Sequence, residues 1–130
     1  MPAPDPWDAG RSVVASSRSP SPGVHLLVVV DELDMATAPQ LSAATREILR
    51  CRPRVLAVDL AGVWFMASAG VDALLSTRQD ALAADCRLVL VAVSRPVRRV
   101  IELIGSAGLF ALHDTLASAL ADLGEPDAHA

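Results

Sequence analysis

At 130 residues the chain has the length of one domain, able to bury about two-thirds of its unfolded surface. Aromatic residues make up 3% and Tyr is absent, so the hydrophobic share of 52% has to build its core mainly from Leu, Val, Ile and Ala. A formal net charge of -4 argues against a general attraction to nucleic acid or to an anionic membrane, although all eleven basic residues are Arg.

Residues 1–10 carry Pro2, Pro4, Pro6 and Gly10 and read as a disordered tail. Residues 11–16 suit a short first strand through Val13 and Val14. Residues 17–23, with Pro20 and Pro22, read as a loop in which Ser17, Ser19 and Ser21 are ordinary exposed hydroxyls. A strand is expected over 24–30 and a helix over 38–50 with Leu41, Ala44, Ile48 and Leu49 turned inward. A strand is expected over 54–60, where the stretch from Val55 is continuously apolar up to Asp59, the pattern of a buried parallel strand. Val71, Leu74, Leu75, Arg78, Leu82 and Cys86 then follow a helical period, giving a helix over 68–84. A strand over 87–93 follows, then a helix over 96–104 with Pro96 in its first turn. A short strand over 109–112 and a helix over 115–123, ended by Gly124 and Pro126, close the chain, with 124–130 as a frayed end. Strands alternating with helices imply parallel crossovers. The fold class is therefore α/β: a single layered domain over 11–123, with a mostly parallel four- to five-stranded sheet and about four helices.

Two cysteines, Cys51 and Cys86, make neither a disulfide framework nor a metal cluster. Each precedes a strand at the same pole of the expected sheet. They read as free thiols in a reducing cytoplasm, with a redox-sensitive pair as the alternative. No basic-then-apolar leader opens the sequence, and its longest apolar run, 24–30 interrupted by His25, is too short to span a bilayer. The expected location is the cytoplasm.

In open α/β sheets function gathers beyond the carboxyl ends of the strands. Here that rim comprises 31–37, 61–70, Ser94 and Arg95. Ser68 stands where a strand gives way to a helix, and its Oγ is expected to cap the amides of Gly70 or Val71. Those amides and the positive end of the helix would equally stabilise a phosphate on that oxygen. The hydroxyl is thus either a cap or a switch. Asp34 either bonds the Ser68 hydroxyl or caps the helix that begins near residue 38.

Catalysis finds little support. A nucleophile elbow needs Gly on both sides of its serine, yet Met66 stands two residues before Ser68 and only Gly70 fits. His25 and His113 are isolated, and no Gly-rich phosphate loop or metal-ligand spacing occurs. The chain reads as a non-enzyme without cofactor or metal. Arg95, Arg98 and Arg99 form a basic cluster, read either as solvated charge or as a docking patch for an acidic partner.

The order of these segments resembles the STAS domain, and within it the stand-alone anti-sigma-factor antagonists. The resemblance runs from about residue 11 to 123. It rests on Glu32-Leu33-Asp34, on Val58-Asp59-Leu60-Ala61-Gly62-Val63 leading into Phe65-Met66-Ala67-Ser68-Ala69-Gly70, and on Pro96-Val97-Arg98-Arg99-Val100 followed by Leu103-Ile104-Gly105 and Leu109-Phe110. It implies a protein that binds an anti-sigma factor with serine-kinase activity and so frees a sigma factor for transcription. Phosphorylation of the serine matching Ser68 would break the complex and a serine phosphatase would restore it. Asp34 and Thr37 match positions at the partner surface. The partner-binding set expected around them is Asp34, Met35, Thr37, Trp64, Met66, Ala67, Ala69, Gly70, Ser94 and Arg95.

Met35, Trp64 and Met66 would supply the apolar part of that face, while Val63 and Phe65 turn into the core. Two positions depart from the family pattern. Ala67 stands where a carboxylate is common, which bears on how readily Ser68 is modified. Asp31 stands where Gly is usual; if the position needs a positive φ, Asp is among the residues that tolerate it best. The alternative function is a non-switched STAS scaffold or a ligand-sensing subunit of a signalling complex. A monomer is the expected state, with pairing along the edge of the first strand as the route to a homodimer.

Overall fold

The computed structural model describes residues 12–125. Two strands open this span, β1 (Val14–Ser21) and β2 (Val24–Leu33), followed by α1 (Ala38–Arg50) and β3 (Val55–Met66). Next come α2 (Ser68–Ala83), β4 (Arg87–Val91) and α3 (Arg95–Leu103). A 3-10 turn at Ala107–Leu109 leads to β5 (Ala111–His113) and α4 (Leu116–Asp122). The sheet order is β1-β2-β3-β4-β5, with β1 antiparallel to β2 and every other neighbouring pair parallel. The expected α/β architecture holds.

The helices divide between the faces. Leu41, Ile48 and Leu49 of α1, Val71 and Leu74 of α2, and Val97 and Ile101 of α3 share one buried cluster with Leu27, Val29, Leu56, Val58, Leu60 and Leu90 of the sheet. On the opposite face Ala119 and Leu120 of α4 pack on Val24, Leu26, Val55, Ala57, Val89 and Val91. Consecutive strand residues thus point to opposite cores, which is why β3 and β4 read as unbroken apolar runs.

Several expectations need correction. The first strand was expected over 11–16, followed by a loop over 17–23; instead β1 runs Val14–Ser21 and turns at Pro22 and Gly23. Its polar side chains hid it, because an edge strand is held by backbone pairing with β2, and Pro20 is tolerated at an edge. The strands expected over 24–30 and 54–60 extend to Leu33 and Met66, paired with each other well past the end of β4. Phe65, expected inside, is 46% exposed, whereas Val63 is buried. The register explains this: Asp31 pairs with Val63 and Glu32 with Phe65, so Trp64 is an extra residue that breaks the alternation. Leu82 is likewise exposed, since α2 buries Val71, Ala73, Leu74, Thr77 and Ala81.

Gly124 and Glu125, placed in a frayed end, are held against the body. Gly124 adopts φ +73, its amide donates to Ala121 and that of Glu125 to Leu120, closing α4 as a Schellman cap. The tail read over 1–10 and the rest of the C-terminal end lie outside the described residues.

Candidate functional site

The loops after β2 and β3 are pinned to each other. The Ala67 amide donates to the Leu33 carbonyl at 2.8 Å, joining the start of α2 to the end of β2. Gly70 makes that approach possible: a Cβ there would lie 2.9 Å from Leu33 Cβ and 3.0 Å from Met66 Cγ. Asp31 does adopt the left-handed conformation, at φ +69, beside the second register shift of β2 and β3. Asp accommodates it through its short polar side chain.

Ser68 is the first residue of α2, not its cap. The N-cap is Ala67, whose carbonyl receives the Gly70 amide at 2.9 Å and the Val71 amide at 3.4 Å. The expectation that Ser68 Oγ would cap those amides is therefore overturned. The Ser68 side chain is exposed, and among the described residues its hydroxyl has no hydrogen-bond partner. The Ser68 and Ala69 amides, first in the helix, have no carbonyl one turn back. No acidic side chain occupies the first turn to offset the positive end of the helix.

Asp34 does not cap α1, whose N-cap is Thr37 without a side-chain cap bond; it closes the turn that leads into the helix. Its Oδ1 accepts from the amides of Ala36 at 3.0 Å and Thr37 at 3.1 Å. In return the Asp34 amide donates to Thr37 Oγ1 at 3.0 Å, and that hydroxyl donates to the Glu32 carbonyl at 2.6 Å. Thr37 is thus buried, as is Met66 at 3% exposure, so neither offers its side chain to a partner as expected. Gly70 is buried too, and Ser94 Oγ donates to the Val63 carbonyl at 3.1 Å, tying the start of α3 to β3. These four hold the rim from within.

The outward part of the rim is Met35 at 83% exposure, Trp64 at 62%, Ser68, Arg95 and the half-buried Ala67 and Ala69. The Trp64 and Phe65 rings lie 6.3 Å apart, tilted by 51°. Between α1 and α2 runs an open cleft of about 400 Å³, lined by Met35, Ala38, Pro39, Ser42, Arg46, Ala69, Asp72, Ala73 and Ser76. Beyond Ala69, its α2 wall was missed in the sequence. The signal was there: Ala69, Ala73 and Ser76 are small residues spaced three and four apart on one helix face.

Other reactive groups lie elsewhere. His25 Nε2 sits 2.7 Å from Ser17 Oγ at the opposite end of β2, and His113 Nδ1 lies 3.6 Å from Asp122. Cys51 and Cys86 are both free thiols, one exposed and one buried. Among the described residues no group of His, Cys, Asp and Glu is placed to hold a metal ion, and no helix is long and apolar enough to cross a membrane.

Residues 19–119 match the STAS domain family. The chain belongs to that family. Anti-sigma-F factor antagonist RsfB of Mycobacterium tuberculosis is 34% identical over 98 residues, spanning 75% of this chain and 80% of the relative. The crystal structure of an anti-sigma factor antagonist from Mycobacterium paratuberculosis is 33% identical, covers 79% of this chain and 87% of its own, and superposes with a TM-score of 0.70. A putative anti-sigma factor antagonist from Thermotoga maritima is 17% identical over 85% of this chain and 94% of its own, with a TM-score of 0.76; this likeness is one of fold. These relatives place the STAS domain described here with the anti-sigma-factor antagonists.

Proposed function

We propose that this STAS domain binds an anti-sigma factor with serine-kinase activity, frees its sigma factor, and loses that binding when Ser68 is phosphorylated. One observation carries the reading: an exposed, unbonded serine hydroxyl at the start of α2, on a rim that also presents Met35 and Trp64 to solvent. A kinase needs such a hydroxyl, and a partner needs such apolar anchors. A serine phosphatase resets the state.

Phosphate adds about -1.5 to -2 charges and several strong acceptors at neutral pH. The first amides of α2 can receive it within the domain, so no refolding is required. Against a docked partner the same charge would be buried without a counter-ion. That penalty of several kcal/mol corresponds to a loss of affinity on the order of 10²-fold. The direct contacts are assigned to Met35, Trp64, Ala67, Ala69, Arg95 and Asp34. Thr37, Met66, Gly70 and Ser94 act as their support. The domain works in the cytoplasm as a monomer: Arg18, Pro20 and the register shifts of β1 make its edge a poor template for a second sheet.

Ala67 favours a second reading, a binder that is never switched, because no carboxylate adjoins Ser68 on its N-terminal side. The test is a pull-down with kinase-type anti-sigma factors, followed by Mg-ATP and phosphopeptide mass spectrometry. The switch predicts phosphate on Ser68, retained binding by Ser68→Ala, and a drop of about 10²-fold in Ser68→Asp. Equal binding by all three forms, without phosphate, would select the fixed scaffold instead.

A further inference from the structure

The exposed face of α3 gathers unpartnered basic groups beside an exposed apolar side chain. Arg95, Arg98 and Arg99 line one open cleft of about 430 Å³, with Glu102 and Leu103 completing it. Among the described residues none of the three guanidinium groups has an ion pair or a hydrogen bond, and Glu102 does not close on any of them. Arg54 is engaged with Glu125, Arg50 with Glu47, and Arg78 with the Leu109 carbonyl, while Arg18, Arg46 and Arg52 stand singly without a partner among the described residues.

This arrangement opposes the stability of the helix. Arg95 is three residues from Arg98 and four from Arg99, spacings at which like charges on a helix repel. All three also lie in the first turns, where the helix field disfavours cations. Core packing uses Val97 and Ile101, with Val100 partly buried beside them, while the three arginines are exposed. At the far end of the cleft Leu103 is 78% exposed, an apolar side chain without a covering group.

We propose that this face is a docking surface for an acidic protein segment that carries an apolar side chain. Its carboxylates would pair with Arg95, Arg98 and Arg99, and its apolar group would rest on Leu103. A carboxylate fits the fork of a guanidinium through two parallel hydrogen bonds, a match that three free arginines offer in succession. Nucleic acid is the less suitable occupant, because the chain as a whole is acidic and its field repels a long polyanion. Arg95 is shared with the rim that carries Ser68, whereas Arg98, Arg99 and Leu103 extend this surface along α3 beyond the contacts assigned there.

The experiment titrates isotope-labelled protein at low salt with a glutamate-rich peptide bearing one central leucine, followed by backbone NMR shifts. Shift changes are expected along α3, with affinity falling at least about tenfold in the triple variant Arg95→Gln, Arg98→Gln, Arg99→Gln, and by a smaller factor in Arg98→Gln alone. Leu103→Ser is expected to weaken the leucine-bearing peptide but not an all-glutamate one. Unaltered binding in the triple variant, shifts scattered away from α3, or an oligonucleotide binding more tightly than the peptide would each overturn the proposal.

Discussion

Gly70 sets the geometry of the whole rim, because the closeness of α2 to β2 is decided by the absence of one methyl group. With Leu33 Cβ at 2.9 Å and the Leu33 carbonyl at 3.0 Å from a Cβ there, neither neighbour has freedom to retreat. Gly70→Ala is therefore expected to destabilise the fold by about 1–3 kcal/mol, as overpacking does, and to shift the first turn of α2. Urea denaturation measures the first effect and backbone NMR the second; an unchanged midpoint would show that the contact relaxes freely. The two thiols give a second contrast between neighbouring environments. Burial pushes the Cys86 thiol up to about 11, whereas Cys51 is exposed. Since the thiolate is the reacting form, Cys51 is expected to react rapidly with a disulfide reagent near pH 8, and Cys86 only after unfolding. Two fast thiols in the native protein would contradict the buried position of Cys86.

The elements show which kinds of information a single sequence holds. α1 begins and ends where its periodicity said, from Ala38 to Arg50, because Pro39 near its start and the inward Leu41, Ile48 and Leu49 are all local signals. The strands β2 and β3 were each read too short, at residues 30 and 60. Val63, Trp64 and Phe65 suit a strand, but Ala61 and Gly62 interrupt the run and the pairing that carries it on belongs to β2, some thirty residues earlier. β1 was misplaced for the same reason, as its backbone is fixed by a partner and its side chains are polar. The bulge at Trp64 is likewise a property of the pair, and with it the exposure of Phe65. At the site, Ser68 and Asp34 were legible as rim residues from the strand-to-helix order. Which of the rim side chains turn outward was not, because Met66 and Thr37 are drawn inside by the packing of β2, β3 and α1 around them.

Taken as a body, the domain keeps its exposed rim at the carboxyl ends of the strands and its closure at the other pole. Among the described residues α4 alone covers one face of the sheet, and what fixes its end is Glu125. Glu125 Oε1 accepts from Arg54 Nη2 at 2.8 Å, and the same nitrogen donates to the Pro22 carbonyl at 3.0 Å. The β1–β2 turn, the start of β3 and the end of α4 thus meet on one guanidinium. The bond from Arg54, followed by the charge attraction of Arg54 and Arg87, holds the Glu125 carboxyl below its ordinary value. A carboxyl lowered on folding contributes stability above its unfolded pKa, near 4.3, and that contribution fades as pH falls through the lower folded value. Wild type is therefore expected to exceed Glu125→Gln in urea midpoint at pH 7, with the two curves converging below about pH 4. High salt should narrow the gap at neutral pH, because the pair faces solvent. Arg54→Ala is expected to lose more than Glu125→Gln, since it also frees the Pro22 carbonyl, and that additional loss should persist in acid. A gap between wild type and Glu125→Gln that stayed constant from pH 7 into the acid range would mean that packing of α4, not charge, secures this pole.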